Sequence, residues 1–135
     1  STIIPDKSLT LEPNNNLTTS SKIVNIPTGI YKIELLDNDS IELLTNIKFE
    51  KNSKIRIRIS NLPTNLKFQL NMYKYSDYII DKLNDDNIIT KIEIPNNNIF
   101  EYDLSDKNLE TSSYILILMY ESKKITESLR FRIIN

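Results

Sequence analysis

Apolar residues recur at every second position in short runs along this chain, and Asn, Asp, Pro and Ser break the runs apart. Such alternation places one set of side chains on each face of a strand. KIRIRIS (54–60) sends Ile55, Ile57 and Ile59 to one face and Lys54, Arg56 and Arg58 to the other. LKFQLNM (66–72) does the same with Leu66, Phe68, Leu70 and Met72. SLRFRII (128–134) buries Leu129, Phe131 and Ile133 and turns Arg130 and Arg132 outward. Further strands are expected at 22–26, 30–36, 41–49, 88–94 and 99–104. YILILMY (114–120) is apolar on both faces, the pattern of a central strand covered on both sides. Within 76–86, YIIDKL reads as an edge strand, with a short helix capped by Ser76 as the alternative. Strands at about ten-residue spacing predict an all-β, antiparallel β-sandwich of about eight or nine strands. Residues 21–135 would form one domain, and the polar residues 1–20 an arm running along it.

The turns carry their own signal. NLPTN (61–65) and PNNN (95–98) separate confident strands, and Gly29 is the single glycine. Asparagine tolerates positive φ better than most residues, so it is expected to take over the turn role of glycine.

Composition then narrows the chemistry. The chain has 135 residues, enough for one two-layer core. Its 17 Lys and Arg against 18 Asp and Glu leave no basic excess for nucleic acid. With His 0 and Cys 0 there is no disulfide framework, no thiolate metal site and no Ser-His or Cys-His acyl-transfer pair. A glycine-rich phosphate loop is likewise excluded. The longest strictly apolar run, 114–120, is far shorter than the roughly 20 residues of a membrane helix. The chain opens at Ser1 without a secretory leader, which points to a processed protein or an excised domain.

Three sets of residues are candidates for binding. Asp37 and Asp39, and the pair Asp85 and Asp86, could supply oxygen ligands to calcium, although neither matches an EF-hand loop; both also fit solvated turns. Arg56 and Arg58 form a basic ladder that either blunts a sheet face or receives an acidic partner. Tyr73 and Tyr75 inherit the outward face of Lys67, Gln69 and Asn71, and Tyr114 and Tyr120 share one face of their strand. Exposed tyrosines often mark binding surfaces. The expected ligand-binding set is therefore Tyr73, Tyr75, Tyr78, Tyr114, Tyr120, Arg56 and Arg58. Tyr31, Tyr102 and Tyr114 also fit the rim of the core.

LEPNNN (11–16), the acidic turn DNDS, IKFEKNSKIRIRIS, NLPTNLKFQLNMYKYSDYI and the closing SSYILILMYESKKITESLRFRI follow one another in a telling order. That order, over roughly residues 11–134, resembles the bacterial pre-peptidase C-terminal domain and its relative, the collagen-binding domain of clostridial collagenases. The resemblance implies a jelly-roll-like sandwich without catalytic activity, appended to secreted enzymes. It implies calcium as a cofactor held by the N-terminal arm, with Glu12 and Asn14 as ligands, and collagen held by exposed tyrosines in the strands of Tyr73 and Tyr120. The chain departs from the family at Asn15, where an acid is usual, in its missing glycines and in the DNDS-to-IKF spacing.

The expectation is a non-catalytic binding module of a secreted or surface bacterial protein, with a protein ligand such as collagen-like extracellular matrix. Alternatives are a structural or assembly subunit of a multi-chain toxin or surface complex and, further off, a carbohydrate-binding module lacking the usual Trp. A carboxylate enzyme is the least favoured reading.

Overall fold

The computed structural model of the chain describes residues 31–135. In chain order its elements are β1 (Lys32–Leu36), β2 (Lys48–Glu50), β3 (Lys54–Ser60), β4 (Gln69–Lys74), α1 (Tyr75–Ile79), a 3₁₀ turn (Asp85–Asn87), β5 (Thr90–Glu93), β6 (Ile99–Asp103), β7 (Ser112–Tyr120) and β8 (Lys123–Ile134). Two sheets result, one in the order β2-β8-β7-β4-β5 and one in the order β1-β3-β6. The chain passes back and forth between them, so its alternating apolar faces meet in one core. Ile33, Leu35, Ile55, Ile57 and Ile59 come from the smaller sheet. Leu70, Met72, Ile92, Leu116, Leu118, Phe131 and Ile133 come from the larger. Each buried aliphatic of this kind contributes about 1.5–3 kcal/mol.

Among the described residues all strand pairings are antiparallel except one: β2 runs parallel to β8, with Lys48 opposite Arg132 and Glu50 opposite Ile134. The larger sheet is thus mixed rather than wholly antiparallel. Residues 41–49, expected as a strand, contribute only an isolated bridge between Leu36 and Glu42 and the three residues of β2. Turn conformations precede and interrupt that run, with φ of 63° at Ser40 just before it and 49° at Asn46 within it.

The edge strand expected in YIIDKL does not form: the short helix α1, preceded by Lys74 and lacking a side-chain cap, takes in Tyr78 and Ile79, and a turn follows at Ile80 and Asp81. The reason lies beneath it. YILILMY presents Ile115 and Ile117 on the outer face of the larger sheet, and Tyr73 adjoins them. Tyr75, Tyr78, Leu83 and Ile88 fold over these three and form a second apolar cluster. A strand at the edge would have left that face in water. The 22–26 strand and the 1–20 arm lie outside the described residues.

Asparagine does replace glycine in turns: Asn46, Asn52, Asn61 and Asn108 all have positive φ. The β7–β8 hairpin turns through two residues, Glu121 and Ser122, with φ of 49° and 66°. Its ends are the paired Tyr120 and Lys123. Both central residues of a two-residue hairpin loop of this hand need positive φ, which Asn-Gly satisfies more cheaply than Glu-Ser. Among the described residues, no helix is long and apolar enough to cross a membrane.

Candidate functional site

Register across the larger sheet sets the site. On its outer face Tyr73 of β4 lies opposite Ile115 of β7, which lies opposite Arg130 of β8. Two rows along, Gln69 meets Met119, and Met119 meets Lys124. The alternation that buries Leu129 and Phe131 therefore lifts Arg130 onto the face crossed by α1. Tyr75 and Tyr78, three residues apart on α1, stack with ring centroids 5.8 Å apart. The Arg130 guanidinium sits 4.1 Å from the centre of the Tyr75 ring, and the Lys124 ammonium 5.3 Å from that of Tyr78. Cations at these distances are drawn to the negative face of the ring. Beyond the tyrosines the chain leaves Ile79 and Ile80 standing in water, 61% and 57% exposed. The half-buried tyrosines, two cations and two exposed isoleucines form one surface.

The other expected tyrosines are not on it. Tyr73 points outward as alternation requires, yet α1 covers it to 2% exposure. Its hydroxyl accepts a hydrogen bond from the Asn71 Nδ2 at 3.1 Å, and Asn71 Oδ1 accepts one from the Gln69 Nε2 at 2.7 Å. Tyr114 and Tyr120 do share a face, but it is the inner one. Tyr114 stacks on Phe131 at 6.0 Å and donates its hydroxyl to the Glu110 carbonyl at 2.6 Å. Burial raises its pKa above the ordinary 10.0. Tyr120 packs on Phe68 at 4.9 Å and is buried. The expected water-facing surface centred on Tyr73, Tyr75 and Tyr120 is therefore corrected: Tyr73 and Tyr120 are buried, as is Tyr114, and of the expected tyrosines Tyr75 and Tyr78 keep partial exposure.

The Arg56 and Arg58 ladder lies on the smaller sheet, remote in the topology from Arg130 and Arg132, and it is already neutralised. Register places Glu34 opposite Arg58 and Glu101 opposite Arg56. Arg58 donates from Nε to Glu34 Oε1 at 2.6 Å and from a terminal nitrogen to Oε2 at 3.1 Å. Arg56 donates to Glu101 at 2.9 Å and to the Ser40 hydroxyl at 2.9 Å. The Arg58 fork is the main cause holding the Glu34 carboxyl at a pKa of about 2. These arginines are committed to internal pairs and offer little to an acidic ligand.

Asp37 Oδ1 accepts backbone N–H bonds from Asp39 and Ile41, each at 2.9 Å, and so builds its own turn. Asp39 is exposed. Asp85 and Asp86 lie in the 3₁₀ turn. Among the described residues, no group of three or more His, Cys, Asp or Glu could hold a metal. Glu12 and Asn14 lie outside the described residues.

Sequence reading missed Ile79, Ile80 and Lys124. Periodicity places Ile79 and Ile80 on the face of a strand or helix without saying that the face is exposed, and the outward step of Lys124 depends on a register shift in β8 between Lys124 and Ser128.

No family model matches the chain. N-(5'-phosphoribosyl)anthranilate isomerases from two strains of Staphylococcus epidermidis are 39% identical to it over 79 residues, 57% of this chain. The chain spans 37% of the length of these relatives. The crystal structure of the PmoD soluble domain from Methylocystis sp. ATCC 49242 (Rockwell) superposes with a TM-score of 0.43 at 10% identity. That superposition covers 76% of this chain and 90% of the PmoD domain, and the score is too low to argue from.

Proposed function

We propose that this chain is a non-catalytic interaction module that holds a protein partner on the α1 surface, with Ile79 and Ile80 as anchors and Tyr75, Tyr78, Arg130 and Lys124 around them. The observation that carries the reading is the pair of isoleucines, 61% and 57% exposed, beside tyrosines already capped by cations. Aromatic residues and arginine dominate the energy of protein interfaces. Here Arg130 and Lys124 hold the tyrosine rings still before a partner arrives, which lowers the entropy lost on binding.

The partner class follows the resemblance stated above: a protein of the extracellular matrix, collagen being the specific candidate, with the module on a secreted or surface bacterial protein. Calcium, held by Glu12 and Asn14, belongs to the same proposal. The isomerase activity of the Staphylococcus relatives is not carried over, since the match covers 37% of their length. Glu34, the carboxylate held at about 2, is bound to Arg58 rather than facing a cleft.

Surface plasmon resonance on immobilised fibrillar collagen tests the reading with the double variant I79D/I80D. Wild type should bind, and the variant should bind at least tenfold more weakly with an unchanged melting point, because both side chains are exposed. Equal binding by the two proteins, or none by either, would remove the α1 surface as a collagen site. Sedimentation over a range of concentrations reads the alternative: loss of a wild-type dimer in I79D/I80D would make the surface an assembly contact between copies of this chain.

A further inference from the structure

One end of the sandwich opens into a groove of about 1090 Å³, bounded by the links 61–68 and 94–98 and by the Glu121–Ser122 hairpin turn. Its volume lies just above the usual range for sites that take small ligands. Primary amides crowd its lining: Asn65, Gln69, Asn96, Asn97 and Asn98 all contribute. Each carboxamide offers both a donor and an acceptor, the combination that adjacent hydroxyl groups require.

Charge and apolarity narrow the ligand. Lys67 and Lys91 are offset by Glu93 and Glu121, so nothing here favours a phosphate or a carboxylate over a neutral molecule. Leu62, Pro63, Ile94 and Pro95 supply flat aliphatic surface against which C–H groups can lie. One of these amides, that of Gln69, is held in place before any ligand arrives. Gln69 donates to the buried Asn71, which donates to Tyr73, so a three-residue chain fixes one wall. The Asn98 backbone carbonyl accepts the Ile59 N–H at 2.9 Å, which ties the main chain of the asparagine link to β3.

We propose that this groove binds a neutral carbohydrate, its hydroxyls paired with the amides of Gln69 and Asn96–Asn98 and its C–H face on Pro63 and Pro95. None of these residues belongs to the α1 surface of Tyr75, Tyr78, Ile79 and Ile80.

An array of neutral oligosaccharides (glucan, mannan, galactan and chitin fragments) supplies the probe, and ¹⁵N-resolved NMR titration with the best binder locates the site. Binding should shift the side-chain NH₂ signals of Asn96, Asn97 and Asn98. In N96A/N98A it should weaken at least tenfold with the melting point unchanged, since both residues are exposed. I79D/I80D should bind the sugar as wild type does. The proposal is overturned if no array member binds at millimolar concentration, if N96A/N98A binds normally, or if the shifts map elsewhere. Capture of unglycosylated peptides by the same asparagines in place of sugars would overturn it as well.

Discussion

Replacing Glu34 with Gln isolates one charge on the smaller sheet, and the structure sets the size of the effect. Glu34 has its pKa lowered from 4.5 to about 2, first through the hydrogen bonds from Arg58. Acting in full, that interval corresponds to about 3 kcal/mol. Arg58 keeps 29% of its side chain in water, so solvent screens the pair and about 1–2 kcal/mol should survive. A depressed carboxylate pKa stabilises the fold above the unfolded value of 4.5, and this contribution disappears as pH falls toward about 2. Glu34→Gln keeps the shape and one acceptor oxygen but not the charge. It should lower stability by about 1–2 kcal/mol at pH 7, a melting-point fall of roughly 4–8 °C for a domain of this size. The gap between variant and wild type should close between pH 4.5 and about 2, where wild type itself becomes protonated. Melts followed by far-UV circular dichroism at several pH values read both quantities, and 1 M salt should narrow the gap. Coincident melts at pH 7, or a gap of constant size down to the lowest pH, would refute the reasoning.

Three further outcomes follow from the geometry. Ser122→Gly relieves a φ of 66° in the β7–β8 turn and should raise stability by about 1 kcal/mol in urea titrations. Tyr73→Phe strips the acceptor from the buried Asn71 amide and should cost about 1–3 kcal/mol, measured the same way. Tyr114→Phe should cost about 1 kcal/mol at neutral pH through loss of the bond to Glu110. Because burial raises the Tyr114 pKa, wild type should also lose stability as pH climbs past 10.0, and Y114F should lose less.

Much of the fold was legible because side-chain period is a local property. Ile55, Ile57 and Ile59, or Phe131 and Ile133, need only their own neighbours in sequence to declare an inner face. What alternation cannot say is what covers the other face. Tyr73 was rightly turned away from the core, yet α1 lies over it. Tyr114 and Tyr120 were rightly placed together, but on the inner side. Arg56 and Arg58 looked like a free basic ladder because Glu34 and Glu101, their partners by register, are 24 and 45 positions away along the chain. Pairing across strands depends on long-range register, and a two-residue period carries none of it. The candidate surface was harder still. It depends on a five-residue helix where the pattern favours a strand, and on a register shift in β8.

The placement of β7 and β8 bears on how this protein comes into being on the ribosome. They fill the interior of the larger sheet, and among the described residues β2 is hydrogen-bonded in it to β8 alone. Residues 48–50, 69–74 and 90–93 thus leave the exit tunnel well before the strands they must join. Until Ser112–Ile134 follows, the nascent chain has the β1–β3–β6 sheet and a β4–β5 ribbon, with no β7 for that ribbon to pair with. Such late, distant closure is slow and leaves aliphatic strands open to mispairing in the meantime. Translation that stops short of Ser112 would release a polypeptide destined for chaperones or degradation rather than a smaller working domain.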